Sequence, residues 1–457
     1  MRRISFIALA VLSACAPVPQ AEVTKSYPQE ATSGTMLPAM QGFTASASAN
    51  SVKSNSELAR DFLNLEFRME SGRALPTFSR FQGAILVQLA GDVPASAPAD
   101  LSRLIARLQS EAGLNIRMVQ TGEAASVLID FQPRRQMQNV VPMAACFVVP
   151  RVQSFAEYKA KRNGPAVDWT TVQTREQVAI FIPSDTSPQE VRDCLHEELA
   201  QSIGPLNDLY HLPDSVFNDD NFNTALTGFD MLMLRLHYAP ELRNGMNEAE
   251  AARALPGLLA RLNPDGEGGG GQSLQIAPRS WVAAVEGAFG PGVRPAARAS
   301  AADRMVSIAM AQGWRDGRLA FSFYAKGRAL TASQPDAAVQ AFARAVEIYA
   351  TIPGAAVQRA HIDMQLAAIA LASGQNDRAI SLTDGAIPVV KRAENAALLA
   401  TLMLIKAEAL DNAGQSGAAQ ALRLDSLGWA RYGFGSEPQV RARMSEIAAL
   451  GARGARG

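Results

Sequence analysis

Residues 194–208 read CLHEELAQSIGPLND, and they combine an apolar helical stripe with a face of acidic and amide side chains. Just before them, Ser187 to Glu190 forms a capping box with proline at the first helical position. Gly204 and the proline after it end the periodic pattern. The sequence therefore predicts a helix over residues 188–203. Its buried stripe should consist of Val191, Leu195, Leu199 and Ile203.

The polar face of this helix carries the candidate chemistry. At about 100° per residue, four side chains fall within one sector. They are Cys194, Glu197, Glu198 and Gln201. His196 and the next residue begin like the zinc motif H-E-x-x-H, but the second ligand would be residue 200, which is alanine. His196 lies outside both the stripe and the polar sector, so we expect it at the surface or supporting other residues, not binding a metal.

Moved by one residue, the segment resembles the extended metzincin motif H-E-x-x-H-x-x-G-x-x-H-D. The motif positions are occupied by Glu197, Glu198, Gln201, Gly204, Asn207 and Asp208. The glutamate, glycine and aspartate are kept, while all three histidines are replaced. The resemblance implies an α+β zincin-like, or metzincin-like, domain with Glu198 as the catalytic residue if the domain is active. It also implies degenerate metal-ligand positions at Glu197, Gln201, Asn207 and Asp208.

The replaced histidines predict a loss of zinc. Carboxylate and amide oxygens stand where the motif has imidazoles, and zinc prefers nitrogen and sulfur donors. Without a metal, Glu198 has no bound water of lowered pKa to deprotonate. We therefore expect no zinc and no other cofactor, and a catalytically inactive domain. The alternatives are an active zinc peptidase, another ion such as Ca²⁺ or Mg²⁺, and metal-free hydrolysis.

Other segments extend the resemblance. A β-helix-β start ending in Ser126–Phe131 is similar to the metzincin sheet. Pro213–Asp219 resembles the tight turn below the metal, with Phe217 in the place of its methionine, and Phe229–Tyr238 resembles the helix that follows. From about residue 57 to residue 262 the chain also looks like a bacterial domain of unknown function, number 2927. That family has no assigned activity to carry over.

Apolar patterns predict the remaining elements of this domain, over residues 56–264. Strand patterns occur at 84–89, 116–119, 127–131, 141–149 and 178–182, and helical patterns start at 57 and cover 99–112 and 226–238. The acidic run Asp219-Asp220-Asn221 lacks the spaced carboxylates and the glycine of an EF-hand, so we expect a turn there.

Residues 1–14 have the parts of a secretory signal in the right order. The sequence Leu12-Ser13-Ala14-Cys15 resembles a bacterial lipobox, which implies a lipoprotein with lipid attached at Cys15 and a location in the cell envelope. Because Ala16 is uncharged, the resemblance implies the outer membrane, facing the periplasm. An ordinary signal peptide is the alternative. Residues 15–55, rich in Pro, Ser and Ala, are predicted to be a disordered tether.

Export would place Cys146 and Cys194 in an oxidising compartment, where two otherwise unpaired thiols usually form a disulfide. We therefore predict a bridge between Cys146 and Cys194. Two free and buried cysteines are the alternative, since free cysteine is among the most buried residue types.

The C-terminal part of the chain loses its strand patterns. Residues 265–280 include the glycine run of DGEGGGG and are predicted to be a linker. Over residues 281–457, alanine-rich helical pairs alternate with short breaks, and Gly374 and Gly414 lie 40 residues apart in similar contexts. This pattern resembles tetratricopeptide-type repeats, which would make the segment an all-α helical-repeat domain. A plain helical bundle is the alternative.

Composition limits the class of function. The 43 basic residues balance the 43 acidic ones, so the charge balance does not favour nucleic acid as a partner. The architecture predicts a lipid-anchored envelope protein that binds a protein or peptide partner without turnover. One alternative is an envelope hydrolase or peptidase with Glu198 as general base and an atypical metal site. A purely structural scaffold is the other.

Overall fold

The computed structural model describes residues 37–43, 53–142, 144–268 and 274–454. The predicted leader and Cys15 lie outside the described residues, as does most of the predicted tether. No helix in these described ranges is both long enough and apolar enough to span a bilayer.

A small mixed sheet organises the N-terminal half. Its strands have the order β2-β1-β3-β5-β4, and β4 runs antiparallel to the other four. Their bounds are β1 Ile85–Gly91, β2 Ile116–Met118, β3 Val127–Gln132, β4 Phe147–Pro150 and β5 Val178–Pro183. Every residue of β5 is buried, as expected for a central strand covered on both faces. Each strand falls within or next to a predicted segment, although β4 is shorter than the predicted 141–149.

Seven helices of the described residues accompany this sheet. They are α1 Asn55–Glu66, α2 Ala97–Ala112, α3 Arg134–Gln138, α4 Phe155–Lys161, α5 Pro188–Ile203, α6 Gly228–His237 and α7 Glu248–Leu262. The parallel β1-α2-β2 crossover is the predicted β-helix-β start, and α5 follows β5 directly. A mixed sheet with helices is thus confirmed as the fold of this half.

Helix α5 begins and ends where the sequence predicts. Ser187 accepts a hydrogen bond from the backbone N–H of Glu190 (3.2 Å), but the Glu190 carboxylate binds Arg134 and Thr186, so only half of the predicted capping box forms. At the other end, a Cβ on Gly204 would lie 2.6 Å from Leu234 Cδ2 and 3.0 Å from the Ala200 carbonyl oxygen, so any larger residue would force buried Leu234 to shift. The predicted apolar stripe is fully buried.

Helices alone form the described part of the chain beyond residue 274. Their bounds are α8 Arg279–Phe289, α9 Pro295–Ala311, α10 Gly317–Leu330, α11 Pro335–Tyr349, α12 Ala356–Ala372, α13 Asn376–Arg392, α14 Ala396–Asn412, α15 Ser416–Phe434 and α16 Glu437–Gly454. Gly374 and Gly414 adopt positive φ (71° and 78°) in the turns after α12 and α14, where glycine costs least. The predicted helical-repeat character of this region is confirmed.

The helical region packs directly against α5. Gln189 of α5 donates to Asn395 Oδ1 (3.0 Å) and accepts from the backbone N–H of residue 397 (2.8 Å). Arg192 of α5 binds Glu394, in the turn before α14. Residues 37–43, within the predicted tether, also lie here. The N–H of residue 41 donates to the Gly428 carbonyl of α15 (3.1 Å). Helix α5 is therefore held between the sheet and the helical region.

Candidate functional site

The site begins on the polar face of α5. Glu198 is 5% exposed, whereas Glu197 is half-buried. Gln201, one turn later, is also buried. The apolar stripe of α5 packs into the core beside the sheet and so fixes the rotation of the helix. The polar side chains therefore lie on another side of α5, where Gln201 meets the segment that follows the helix.

That segment contributes Asp208 but directs Asn207 elsewhere. The Gln201 side-chain amide donates to Asp208 Oδ2 (3.3 Å), which joins helix and turn. Asn207 instead donates to the backbone carbonyl of Asn64, at the end of α1 (2.9 Å). Of the predicted positions, the structure therefore brings together Glu197, Glu198, Gln201 and Asp208, while Asn207 anchors the turn to α1.

Two further carboxylates complete the site. Glu70, in the loop after α1, lies within hydrogen-bonding reach of Asp208 and Gln201 and is exposed at the edge. Asp219 is half-buried and accepts a hydrogen bond from the Tyr210 hydroxyl. We call the set of carboxylates the acidic cluster. Its members are Glu70, Glu197, Glu198, Asp208 and Asp219.

Sequence reasoning placed neither Glu70 nor Asp219 in the site. Glu70 belongs to no motif and is about 130 residues from α5 along the chain, so only the tertiary fold brings it here. Asp219 belongs to the acidic run that was expected to be a turn, and that expectation is confirmed. The turn is built by Asn218 and Asp220 side chains, which accept from the backbone N–H groups two residues on (3.1 Å each).

The segment before this turn is pinned by one buried aspartate. Asp230 of α6 accepts from the Ser215 hydroxyl (2.5 Å) and from the backbone N–H of Val216 (3.2 Å). Phe217 is fully buried, and its carbonyl accepts from the backbone N–H of Leu209 (2.9 Å). These bonds hold residues 209–219 as one compact loop and so fix Asp219 relative to α5.

Mutual repulsion and burial favour protonated carboxyls in the cluster. Desolvation and the Asp219 carboxylate raise the pKa of Glu70 to about 7 and that of Glu197 to about 8. Desolvation, followed by Glu197 and Glu70, raises the pKa of Glu198 well above its ordinary value. Desolvation and then Asp219 do the same to the pKa of Asp208. Each group therefore holds its proton more tightly than a solvated carboxyl does.

Two oxygen atoms of the cluster have no hydrogen-bond partner. They are Glu198 Oε2 and Asp208 Oδ1, both removed from solvent. Leaving such an atom unpaired costs about 1–3 kcal/mol. The buried end of the cluster, at Glu198 and Asp208, therefore has two oxygens that accept no hydrogen bond from the described residues. The other end, at Glu70, is exposed to solvent.

His196 faces away from the cluster. It is 4% exposed, so of the two positions expected for it the surface one is wrong and the supporting one agrees with the structure. Its Nδ1 accepts a hydrogen bond from the backbone N–H of Leu226 (3.1 Å). Burial, followed by Arg192 and Arg107, lowers the pKa of His196 well below its ordinary value. A neutral imidazole that caps a backbone group has a structural role.

The side chains at this site do not fit zinc. The donors at the four degenerate positions are all oxygens, and Asn207 points to α1. Among the described residues, no three His, Cys, Asp or Glu side chains come close enough together to ligate one ion. Protein zinc sites usually have about four ligands, mainly His nitrogen and Cys sulfur atoms, at roughly 2.0–2.3 Å from the ion. No step is therefore derived through a metal.

The predicted disulfide is confirmed beside the site. Cys146 and Cys194 are joined with a Cα–Cα distance of 6.0 Å across a sequence separation of 48. Cys146 immediately precedes β4, and Cys194 lies in α5 one turn before Glu197 and Glu198. The bridge therefore fixes the edge strand of the sheet relative to the two glutamates.

The raised carboxyl pKa values predict a pH-dependent stability. A carboxyl with a raised folded-state pKa contributes stability at low pH, which is lost as the pH rises through the folded-state value. For Glu197, with a pKa of about 8, the loss should extend from the ordinary value near 4.5 to about 8. Glu197→Gln should therefore raise stability near pH 8 by about 1 kcal/mol after allowance for solvent, or roughly 2–4 °C in Tm.

Thermal unfolding of Glu197→Gln and wild type across this pH range measures the effect. The two should converge at low pH and separate as the pH rises. Glu241→Gln is the matched control, because Glu241 lies outside the cluster and its pKa is lowered by a hydrogen bond from Arg261. A constant difference between Glu197→Gln and wild type at every pH would show that Glu197 does not carry a raised pKa.

Comparison with known proteins finds a match to one family model, over fewer than half of the residues. Residues 55–257 match the model of the family described as "Protein of unknown function (DUF2927)". No curated protein and no solved structure matches the chain. The matched residues contain the whole sheet, α5 and all members of the acidic cluster. The match supports placing residues 55–257 in this domain family of unknown function, as the sequence analysis expected.

Proposed function

We propose that this chain is a lipid-anchored protein of the bacterial cell envelope. Its zincin-like domain binds a protein or peptide partner at the acidic cluster without cleaving it. The observation that carries the proposal is the unpartnered Oε2 of Glu198, a side chain only 5% exposed within a cluster that reaches solvent at Glu70. A buried acceptor without a partner is satisfied when a ligand supplies a hydrogen-bond donor.

The zincin-like assignment is supported by the order and position of the elements. A parallel β-helix-β start precedes α5, the compact loop 209–219 follows it, and Gly204 permits close contact with α6. In addition, β4 lies at one end of the sheet and is tied to α5 by the disulfide. A peptide could add to such an edge strand and pass beside Glu197 and Glu198.

Binding is favoured over turnover by the state of Glu198. A general base must be ionised to accept a proton from water. Burial and the neighbouring carboxylates instead favour the protonated form of Glu198, because they raise its pKa. An envelope hydrolase with an atypical metal would need a cation beside Glu198 to reverse this effect, and the donor geometry gives that cation no three-ligand position among the described residues.

The proposed envelope location rests on residues 1–15. The Cys146–Cys194 disulfide supports it, because such bridges form and persist in oxidising compartments. Cell fractionation tests this part. The wild-type chain should sediment with membranes, and Cys15→Ser should release it to the soluble fraction. An unchanged distribution would contradict a lipid anchor at Cys15.

A chelation experiment tests binding without a metal. The purified full chain is incubated with a mixture of short random peptides, before and after exhaustive treatment with a metal chelator, and bound peptides are identified by mass spectrometry. We expect the same peptides in both samples. Binding that disappears with chelation and returns with Zn²⁺ would contradict the proposal. The absence of any bound peptide would favour a purely structural scaffold.

A further inference from the structure

We propose that the acidic cluster recognises a basic side chain of the bound peptide, an arginine or a lysine. This inference rests on the proposed function, because it specifies which group of a peptide partner enters the site. It is carried by two buried oxygens that accept no hydrogen bond, by the absence of a cation among the described groups that act on the cluster, and by the graded exposure of its carboxyl groups.

Two buried oxygens of the cluster accept no hydrogen bond. Glu198 is more than nine-tenths buried, and its carboxylate contributes to the raised pKa of Asp208, after desolvation, Asp219, Glu70 and Glu197. The neighbouring donors are already used elsewhere. Gln201 donates to the other oxygen of Asp208, and Tyr210 donates to Asp219. Glu198 Oε2 and Asp208 Oδ1 accept no hydrogen bond in the structure, and Glu70, at the solvent end of the cluster, lies within reach of Asp208.

The cluster also lacks charge compensation from its surroundings. The charged groups that act on Glu70, Glu197, Glu198 and Asp208 are all carboxylates, drawn from one another together with Asp193 and Asp219. Two arginines on or beside α5 bind groups outside the cluster. Arg192 binds Glu394, and Arg175 donates to the carbonyls of residues 201 and 202 (3.0 Å each). A ligand cation would therefore meet only carboxyl groups, and its positive charge would lower their pKa values and favour their ionised form.

The arrangement of the carboxyl groups favours an organic cation over a metal ion as the ligand. A divalent metal needs several oxygens within about 2.6 Å of one point. No such convergence of three ligand side chains exists among the described residues. The carboxylates instead extend from exposed Glu70, through half-buried Glu197, Asp208 and Asp219, to buried Glu198. A long flexible stem that ends in three to five N–H donors matches this gradation from exposed to buried carboxyl groups.

Two peptide libraries test the inference on the full chain. Both contain short, end-blocked peptides with random uncharged flanks. One has arginine at the centre and the other has citrulline, which keeps the shape and removes the charge. We expect arginine peptides to bind ~10- to 100-fold more tightly than their citrulline counterparts. Glu198→Gln and, at the exposed edge, Glu70→Gln should each reduce this preference.

Controls separate the possible failures. Glu241→Gln, outside the cluster, should keep the preference, and thermal unfolding checks that each variant folds. Equal binding of both libraries would overturn the basic-group inference and leave peptide binding in place. A preference for arginine that survives Glu198→Gln and Glu70→Gln would place the basic group elsewhere and also overturn it. Failure of both libraries at millimolar concentration would overturn the inference and the proposed function together.

Discussion

Replacing Arg192 with methionine should destabilise the chain by about 3–5 kcal/mol. The Arg192 side chain is 6% exposed and donates to both the carbonyl (2.8 Å) and the carboxylate of Glu394. Glu394 has a φ of 56°, a conformation that few residues other than glycine adopt. Arg192 also lies 5.7 Å from the ring centroid of Phe43. Its loss would leave the buried Glu394 carboxylate without this partner.

Chemical denaturation measures this effect, and two further variants interpret it. Arg192→Met combined with Glu394→Gln should recover part of the loss, because the buried carboxylate that Arg192 binds is then replaced by a neutral amide. Arg261→Met is the surface control. Its pair with Glu241 is about half exposed on both sides, so we expect a much smaller loss than for Arg192→Met. A loss for Arg192→Met as small as that of the control would mean that α5 and the helical region are not coupled through this pair.

Removal of the disulfide should have the second large effect. The double variant Cys146→Ser, Cys194→Ser should unfold with about 2–4 kcal/mol less free energy, because the bridge closes a loop with a sequence separation of 48. The expected fall in Tm is roughly 5–15 °C. Since the bridge ties β4 to α5, the variant should also lose affinity for any peptide that binds at the acidic cluster.

Reduction of the wild-type chain provides the matching control. With a strong reductant, its Tm should fall to that of the double variant, whereas the variant itself should not respond. Thiol alkylation of the reduced wild type verifies that the bridge has opened. A reduced protein with two alkylated cysteines and an unchanged Tm would contradict a stabilising role for the disulfide.

Local signals explain how far the fold could be predicted. Helix α5 was placed to the residue, because the serine cap before Pro188 and the Gly204-Pro205 stop act within one turn of the chain. The buried strands β3 and β5 were recognisable as short apolar runs. By contrast, the packing of α5 against residues 394–397 depends on side chains about 200 positions apart, and no periodic pattern encodes such a contact.

The same distinction applies to the site. The helical spacing of Glu197, Glu198 and Gln201 placed them on one face, and the structure keeps them together. Asn207 was expected beside them, but its side chain donates instead to the backbone carbonyl of Asn64 on α1. Glu70 joined the site because the loop after α1 passes the outer end of α5, which is a property of the tertiary fold. The expectation of no zinc rests on donor chemistry, which the sequence displays, and it stays a prediction.

Mass spectrometry of the incubated peptides distinguishes binding from cleavage at the acidic cluster. The purified full chain and its Glu198→Gln variant are incubated for a prolonged period with the arginine-centred peptides, in the presence of added Zn²⁺, and the peptides are examined for new termini. We expect the wild-type chain to bind the peptides and the peptides to remain intact with both proteins. New termini that arise with wild type and are absent with Glu198→Gln would contradict it, since they would identify Glu198 as a working general base.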